Sequence, residues 1–333
     1  MSAQLAGTTP IEADNTPFSD YENDAGSELS TQSLTSSIRA HVYENGRRYH
    51  LKSAHKNYMP IDETEQDRLD LAHHIFCMIR GGAIYMAPIS DDDLSNVLDA
   101  GTGTGIWALD FGDLHPGSQV IGLDLVPIQP SWTYPNIKFE CDDLEKEWTY
   151  KPDFFQYIHS RTLATSIRDW PRYLGQCFKH TAPGGYIEVV EAMVGQLRCD
   201  DDTYDGTPLH KYIEKFRECL VKSGVPVNIN GDYIKRCVEG AGYKDVYVEA
   251  TRVPWGPWPK SPLAKRIGAI NQLNLETGLE AYALGVFTAF GGMTKEDAKK
   301  LIADAFKDIA SRKVHAYSYV WNVIGKKPEA ASE

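Results

Sequence analysis

The chain has 333 residues, 42% of them hydrophobic and 24% charged, with a formal charge of −12. That length allows one large domain or two modest ones, and an acidic surface repels phosphate backbones and anionic lipid, which argues against direct nucleic-acid binding. A mean hydropathy of −0.39, with no apolar run near about 18 residues and no basic-then-apolar leader, predicts a soluble intracellular protein, cytoplasmic or nuclear, without a membrane span.

Residues 1–37 are rich in Ser, Thr, Asp and Glu and contain no Lys or Arg. Such a segment cannot bury enough apolar area to offset its chain entropy, so a disordered acidic tail is expected there. From 38 to about 90 the pattern reads as a helical lid. Its clearest part is Glu63 to Arg80, where Leu69, Ala72, Phe76 and Ile79 form one apolar stripe and Leu71, Ile75 and Met78 another, ended by Gly81–Gly82. Two stripes predict a helix covered on both sides. His73 and His74 on it have no third metal ligand nearby and are expected as satisfied core histidines.

Strands and helices then alternate. Strands are predicted at 96–99, 119–124, 137–140, 154–159 and 186–190, with helices beginning at Thr104 and spanning 170–180. This spacing implies a parallel sheet with helices on both faces. Helices at 209–223 and 231–240 and strands at 245–251 and 314–323 follow. An insertion, 253–312, opens with the run PWGPWP and closes with a helix begun by the capping box Thr294 and Asp297. The main α/β domain is thus read as 91–328, following the helical lid, with 329–333 a short tail. The six cysteines (77, 141, 177, 199, 219 and 237) never form C-x-x-C; reduced thiols are expected rather than a zinc site or a disulfide framework.

The most informative stretch is Asn96 to Gly105, NVLDAGTGTG. A strand runs into Asp99 and the chain turns through Gly101, Gly103 and Gly105 into a helix, so backbone is exposed where a ligand must come close. A dinucleotide fingerprint needs a third glycine where Ile106 stands, and a phosphate-binding P-loop needs a Lys that is absent between Asn96 and Phe111. D-x-G-x-G-x-G remains, the pattern for an adenosine ligand without phosphates. An acid leading into the loop suits a ligand with an ammonium group, as in S-adenosyl-L-methionine. Asp124 ends the next strand, 23 residues after Gly101, where a carboxylate can accept from ribose hydroxyls. The third strand ends in FECDDL, and one of Asp142 and Asp143 is expected to accept from an adenine amino group while the other caps the turn.

These features resemble the class I S-adenosylmethionine-dependent methyltransferases. The segments ENGRRYH (44–50), DETEQDRLDLAHH (62–74), DWPRYLGQCFKHTAPGGYIEVVE (169–191) and VIGKKP (323–328) further resemble the LaeA-like methyltransferases of filamentous fungi, relatives of the velvet-associated regulators of secondary metabolism. The resemblance covers about Val42 to Pro328. It implies an α/β, Rossmann-like, seven-stranded and mostly parallel sheet whose last strand runs antiparallel, and S-adenosyl-L-methionine as cofactor. It also implies a role in secondary metabolism, either methylating a small-molecule product or acting beside a velvet-type nuclear protein partner.

The candidate cofactor contacts are Asp99, Gly101, Thr102, Gly103, Gly105, Asp124, Leu125, Asp142, Asp143, Ser160 and Arg161; no metal is expected. Methyl transfer from a sulfonium needs a base only if the acceptor loses a proton early. His159, read as lying just after the fourth strand with Ser160 and Arg161, is the candidate base, the alternative being an imidazole that satisfies local backbone. Arg161 is read either as a carboxylate holder or as an ion-pair partner of Asp169. Tyr49 is the second catalytic candidate, closing over the cofactor or packing the lid. Glu188 and Glu191 flank the end of the fifth strand and are read as a solvated rim, the alternative being that one of them faces the acceptor. The aromatic–proline run offers an apolar wall for an aromatic acceptor, or ordinary core packing.

Overall fold

The computed structural model describes residues 40–330 apart from 45, 52–57, 91–93 and 193–194. The expected acidic tail and the last residues, 331–333, lie outside the described residues. The elements in chain order are β1 (His41–Glu44), β2 (Arg47–His50), α1 (Glu63–Ile79), β3 (Asn96–Ala100), α2 (Ile106–Leu114), β4 (Gln119–Asp124), β5 (Ile137–Cys141), β6 (Phe155–Arg161), α3 (Trp170–His180), β7 (Thr181–Ala192), α4 (Pro208–Lys222), α5 (Gly231–Ala241), β8 (Lys244–Pro254), α6 (Pro262–Ala289), α7 (Lys295–Ser311) and β9 (Tyr317–Lys326).

Seven strands form one sheet in the order β5-β4-β3-β6-β7-β9-β8. All neighbours pair parallel except β9, which runs antiparallel to both β7 and β8. The mostly parallel sheet with a reversed final strand is therefore the one expected. Its central strands read as nearly continuous apolar runs because both faces are covered. Val97 and Tyr157 point to one side, with Trp107, Phe111 and Ile84. Leu98, Ala100 and Ile158 point to the other, against Tyr173 and Leu174 of α3 and Ile234 of α5.

The segment before the sheet differs from expectation. Residues 41–50 are an antiparallel hairpin, not helix, with Val42 opposite Tyr49 and Glu44 opposite Arg47. The sequence between the two strands, Asn-Gly, is a signal for a two-residue hairpin turn, and Gly46 has φ +84°. Arg47 then grips Asp62 with two hydrogen bonds of 2.7 and 2.8 Å, while the same carboxylate caps α1 by accepting from the Glu65 amide. The hairpin is thereby tied to the start of α1.

As predicted, α1 is covered on two sides. Ile75 and Phe76 pack on Val190, Val253, Ile267 and Val320, and Arg68 reaches α6, donating to Asn274 and to the Tyr282 hydroxyl at 3.0 Å each. The 28-residue α6 packs with α4 and α7 around a separate core of Leu275, Leu279, Phe287, Tyr212, Ile302 and Ile309. Its lack of a single apolar face follows from burial between α1 and that core. Thr294 and Asp297 cap α7 as read. Of these helices, α1, α4 and α6 enclose a cavity with Asp99 and Arg161 at the carboxyl ends of β3 and β6, where open α/β sheets bind ligands.

Candidate functional site

Gly101, Gly103 and Gly105 all have positive φ (+78°, +59° and +85°), which L side chains adopt only at a cost of about 1–2 kcal/mol. Their surroundings differ. A Cβ on Gly101 would drive into the Leu163 side chain, and one on Gly105 would lie 2.5 Å from the Phe139 ring. A Cβ on Gly103 would meet only Leu69 Cδ1, at 3.9 Å. Gly101 and Gly105 are therefore required by packing, whereas Gly103 presents bare backbone to open space.

Two cavities meet at this loop. The smaller, ≈ 170 Å³, is lined by Gly101, Gly103, Asp124, Leu125, Asp142 and Asp143, with Ile61 and Ile167 among its apolar walls. The larger, ≈ 230 Å³, holds Asp99, Thr102, His159 and Glu191 at the sheet edge, and Phe76, Ile213, Phe216, Trp255 and Leu275 beyond them. Leu69, Gly101, Gly103, Arg161 and Thr162 line both. Thr162 is itself unusual, a β-branched residue at φ +56°, held by its amide on Val190 O at 2.9 Å.

Asp124 accepts from the Gly103 amide at 2.8 Å and the Val126 amide at 3.0 Å. Burial outweighs these donors and pushes its carboxyl up to about 6. Asp143 accepts from the Glu145 amide and Asp142 from the Asp143 amide, so both acids shape the turn while lining the smaller cavity. Asp99 is turned inward: its two oxygens take the Thr102 hydroxyl at 2.6 Å and His159 Nδ1 at 2.7 Å. The acid leading into the loop thus orients an imidazole and the loop itself.

His159, Ser160 and Arg161 lie within β6, not after it, because the strand keeps pairing with β7 through Arg161 and Val190. Alternation along β6 separates them. His159 faces the larger cavity, fully buried, with the Trp107 indole stacked 3.9 Å away at 6°. Burial lowers its pKa, so the ring is neutral, Nδ1–H donates to Asp99 and Nε2 is left buried without a partner. Ser160 points the other way and accepts from the Tyr173 hydroxyl at 2.9 Å, which corrects its reading as a cofactor contact. Arg161 does not pair with Asp169, which caps α3 instead. Its guanidinium donates to His73 Nδ1 at 3.0 Å and stacks over Phe76, 4.9 Å from the ring centre, and its Nη1 is buried without a partner.

Other expectations are corrected by burial. Glu188 and Glu191 are 0% and 1% exposed, not a rim, because β7 has strands on both sides. Glu188 accepts from the Met86 and Ala87 amides and the Tyr157 hydroxyl. Glu191 accepts from the Leu163 and Ala164 amides at 2.6 and 3.1 Å, and burial raises its pKa to about 8. His73 is buried and bonded as expected, but His74 is exposed. Tyr49 stands in β2 opposite Val42 and lines neither cavity. The sequence reading missed Thr162 and Arg68 as wall residues and held Glu191 only as the alternative to a solvated rim. For Glu191 the signal was present, since a carboxylate in a strand buried on both faces cannot reach water.

The residues fit a phosphate-free adenosine cofactor with an amino-acid tail. Acceptors lie at one end, bare glycine backbone in the middle, and a guanidinium with one unpartnered nitrogen, Nη1 of Arg161, stands at the junction. This fold and loop define a class I methyltransferase. The family described as "Methyltransferase domain" matches residues 71–248, more than half of the chain, and the protein belongs to it as an S-adenosyl-L-methionine-dependent methyltransferase. It is 36% identical over 304 residues to "Methyltransferase pytC" of Aspergillus terreus, covering 90% of this chain and 92% of that one. It is 32% identical to "Secondary metabolism regulator LAE1" of Cochliobolus heterostrophus, over 86% and 94% of the two chains. It is 29% identical to "Protein-methionine methyltransferase laeA" of Emericella nidulans, over 86% and 76%. Among solved structures, phosphoethanolamine N-methyltransferase 2 of Haemonchus contortus with S-adenosyl-L-methionine aligns at TM-score 0.47 and 18% identity, over 79% of this chain and 52% of that one. Among the described residues, no helix is long and apolar enough to cross a membrane.

Proposed function

We propose that this protein methylates a small, largely apolar molecule held in the larger cavity, as a step of fungal secondary metabolism. One observation carries the reading: that cavity adjoins the glycine loop and is walled by aromatic and aliphatic side chains of α1, α4 and α6. A cavity of this size suits a compact ring system better than an extended peptide.

S-adenosyl-L-methionine brings the methyl group and its leaving sulfur. The chain contributes placement. Asp124 and Leu125, with Asp142 and Asp143, receive the nucleoside; Gly101, Thr102, Gly103 and Gly105 let the backbone approach; Arg161 takes the carboxylate of the methionyl tail. Alignment of two reactants in such a site is worth up to about 7–11 kcal/mol of the barrier. His159 is the base for a hydroxyl or amine acceptor. Its Asp99 partner fixes the tautomer that leaves Nε2 free to take a proton, and stabilises the imidazolium once formed.

A second reading, methylation of a protein beside a velvet-type nuclear partner, is favoured by the secondary metabolism regulator and the protein-methionine methyltransferase among its relatives. Purified protein supplied with methyl-labelled cofactor, a metabolite extract and a nuclear protein extract separates the two. Label in the metabolite fraction is expected. Label confined to protein overturns the small-molecule reading.

A further inference from the structure

Among the described residues, Arg161 is the only one lining both cavities whose side chain is a cation, and its hydrogen bond and its ring contact both come from α1. His73 accepts from Nη2 at 3.0 Å, and Phe76, one turn further on, lies beneath the guanidinium at 4.9 Å. A guanidinium only donates, so His73 Nδ1 must be the acceptor and its proton sits on Nε2. That Nε2–H in turn meets Asp110 Oδ2 on α2 at 2.9 Å. The chain Asp110–His73–Arg161 joins three elements. It spends one end of the guanidinium and leaves Nη1 buried and unpartnered. Burial lowers the Arg161 pKa to about 10, so the group stays charged at neutral pH and needs an anion there.

We propose that His73 is a positioning residue for cofactor binding: from α1 it holds the Arg161 guanidinium in the orientation that presents Nη1 to the carboxylate of the methionyl tail. The inference rests on the preceding assignment of Arg161 to that carboxylate. It gives α1 a specific task. The helix closes over the site and also sets the geometry of the group that recognises the amino-acid end of the ligand. Asp110 makes the imidazole a fixed acceptor by holding its other nitrogen protonated.

The test compares two probes by calorimetry on the full chain. S-adenosylhomocysteine carries the tail; 5′-methylthioadenosine has the same nucleoside and sulfur without it. His73→Phe keeps a ring of similar size and can neither accept nor donate a hydrogen bond through it. It should weaken S-adenosylhomocysteine about tenfold while changing 5′-methylthioadenosine by less than about twofold, as loss of one charge-assisted hydrogen bond implies. His73→Gln, with one acceptor and one donor, should recover most of the loss. Should the Phe protein fail to fold, Asp110→Ala at its half-exposed position must show the same selective loss in smaller measure. Equal weakening of both probes, or no weakening of S-adenosylhomocysteine, overturns the proposal. Native protein that binds neither probe overturns the cofactor assignment itself, a distinguishable result.

Discussion

The Nδ1 of His159 lies 2.7 Å from Oδ1 of Asp99 beneath the flat of the Trp107 ring. Because burial depresses the imidazole's pKa below its usual 6.5, the unfolded chain binds more protons than the folded one just below that pH. The stabilising contribution is therefore complete above about 6.5 and lost as pH falls, by at most about 1.4 kcal/mol per pH unit. Urea unfolding of the native protein and His159→Gln between pH 7 and 5 should show the native curve falling more steeply. Parallel curves would remove the buried neutral imidazole from the account.

Asp124 makes a complementary prediction for binding. Its carboxyl sits up to about 6 in the ligand-free protein, and accepting from ribose hydroxyls requires the ionised form. Affinity for S-adenosylhomocysteine should fall about tenfold from pH 7 to pH 5, and Asp124→Asn should bind more weakly with a flat profile. A native profile as flat as that of the variant would place the ribose elsewhere.

The glycines of the loop should separate by experiment. Gly103→Ala has room for its Cβ beside Leu69, so it should cost only the left-handed strain of about 1–2 kcal/mol and yet weaken the cofactor by more than about tenfold. Gly101→Ala collides with Leu163 and should lose more stability, part of it regained in Gly101→Ala/Leu163→Ala. Equal stability losses at the two positions would contradict this division.

Glu65 and Arg68 are an ion pair 2.7 Å apart with side chains 2% and 3% exposed, standing between α1 and α6. Arg68→Met strands a buried carboxylate and should cost about 3–5 kcal/mol. Glu65→Leu/Arg68→Met should recover much of that loss, since two apolar side chains need no partner. Denaturant midpoints of the three proteins decide it; a double variant as weak as the single one would make the pair a net source of stability.

Much of the scaffold was legible because its signals are local. The strand, three glycines and helix of residues 96–114 follow from backbone chemistry within one turn, and Asp124 follows at the next strand end. The hairpin at 41–50 was equally local but misread, because its Asn45–Gly46 turn signal was passed over in favour of the helical pattern that follows it. Ser160 was placed wrongly for a different reason. Where β6 stops is decided by its partner β7, and because pairing continues through Arg161 the strand alternation extends to Ser160 and turns it toward α3 while His159 faces the cavity.

By itself the sequence determined the class of protein: the loop chemistry selects a nucleoside cofactor without phosphates, and apolar strands alternating with helices impose a parallel sheet. Only the tertiary structure decided which polar groups became functional. His73 and Arg161 are 88 positions apart and Arg68 and Asn274 are 206 apart, so no window of sequence contains both partners. The physical reason is that burial and hydrogen bonding are properties of the assembled layers. The same Glu191 that would be a solvated acid on an edge strand becomes, between two strands, a carboxyl that anchors a turn.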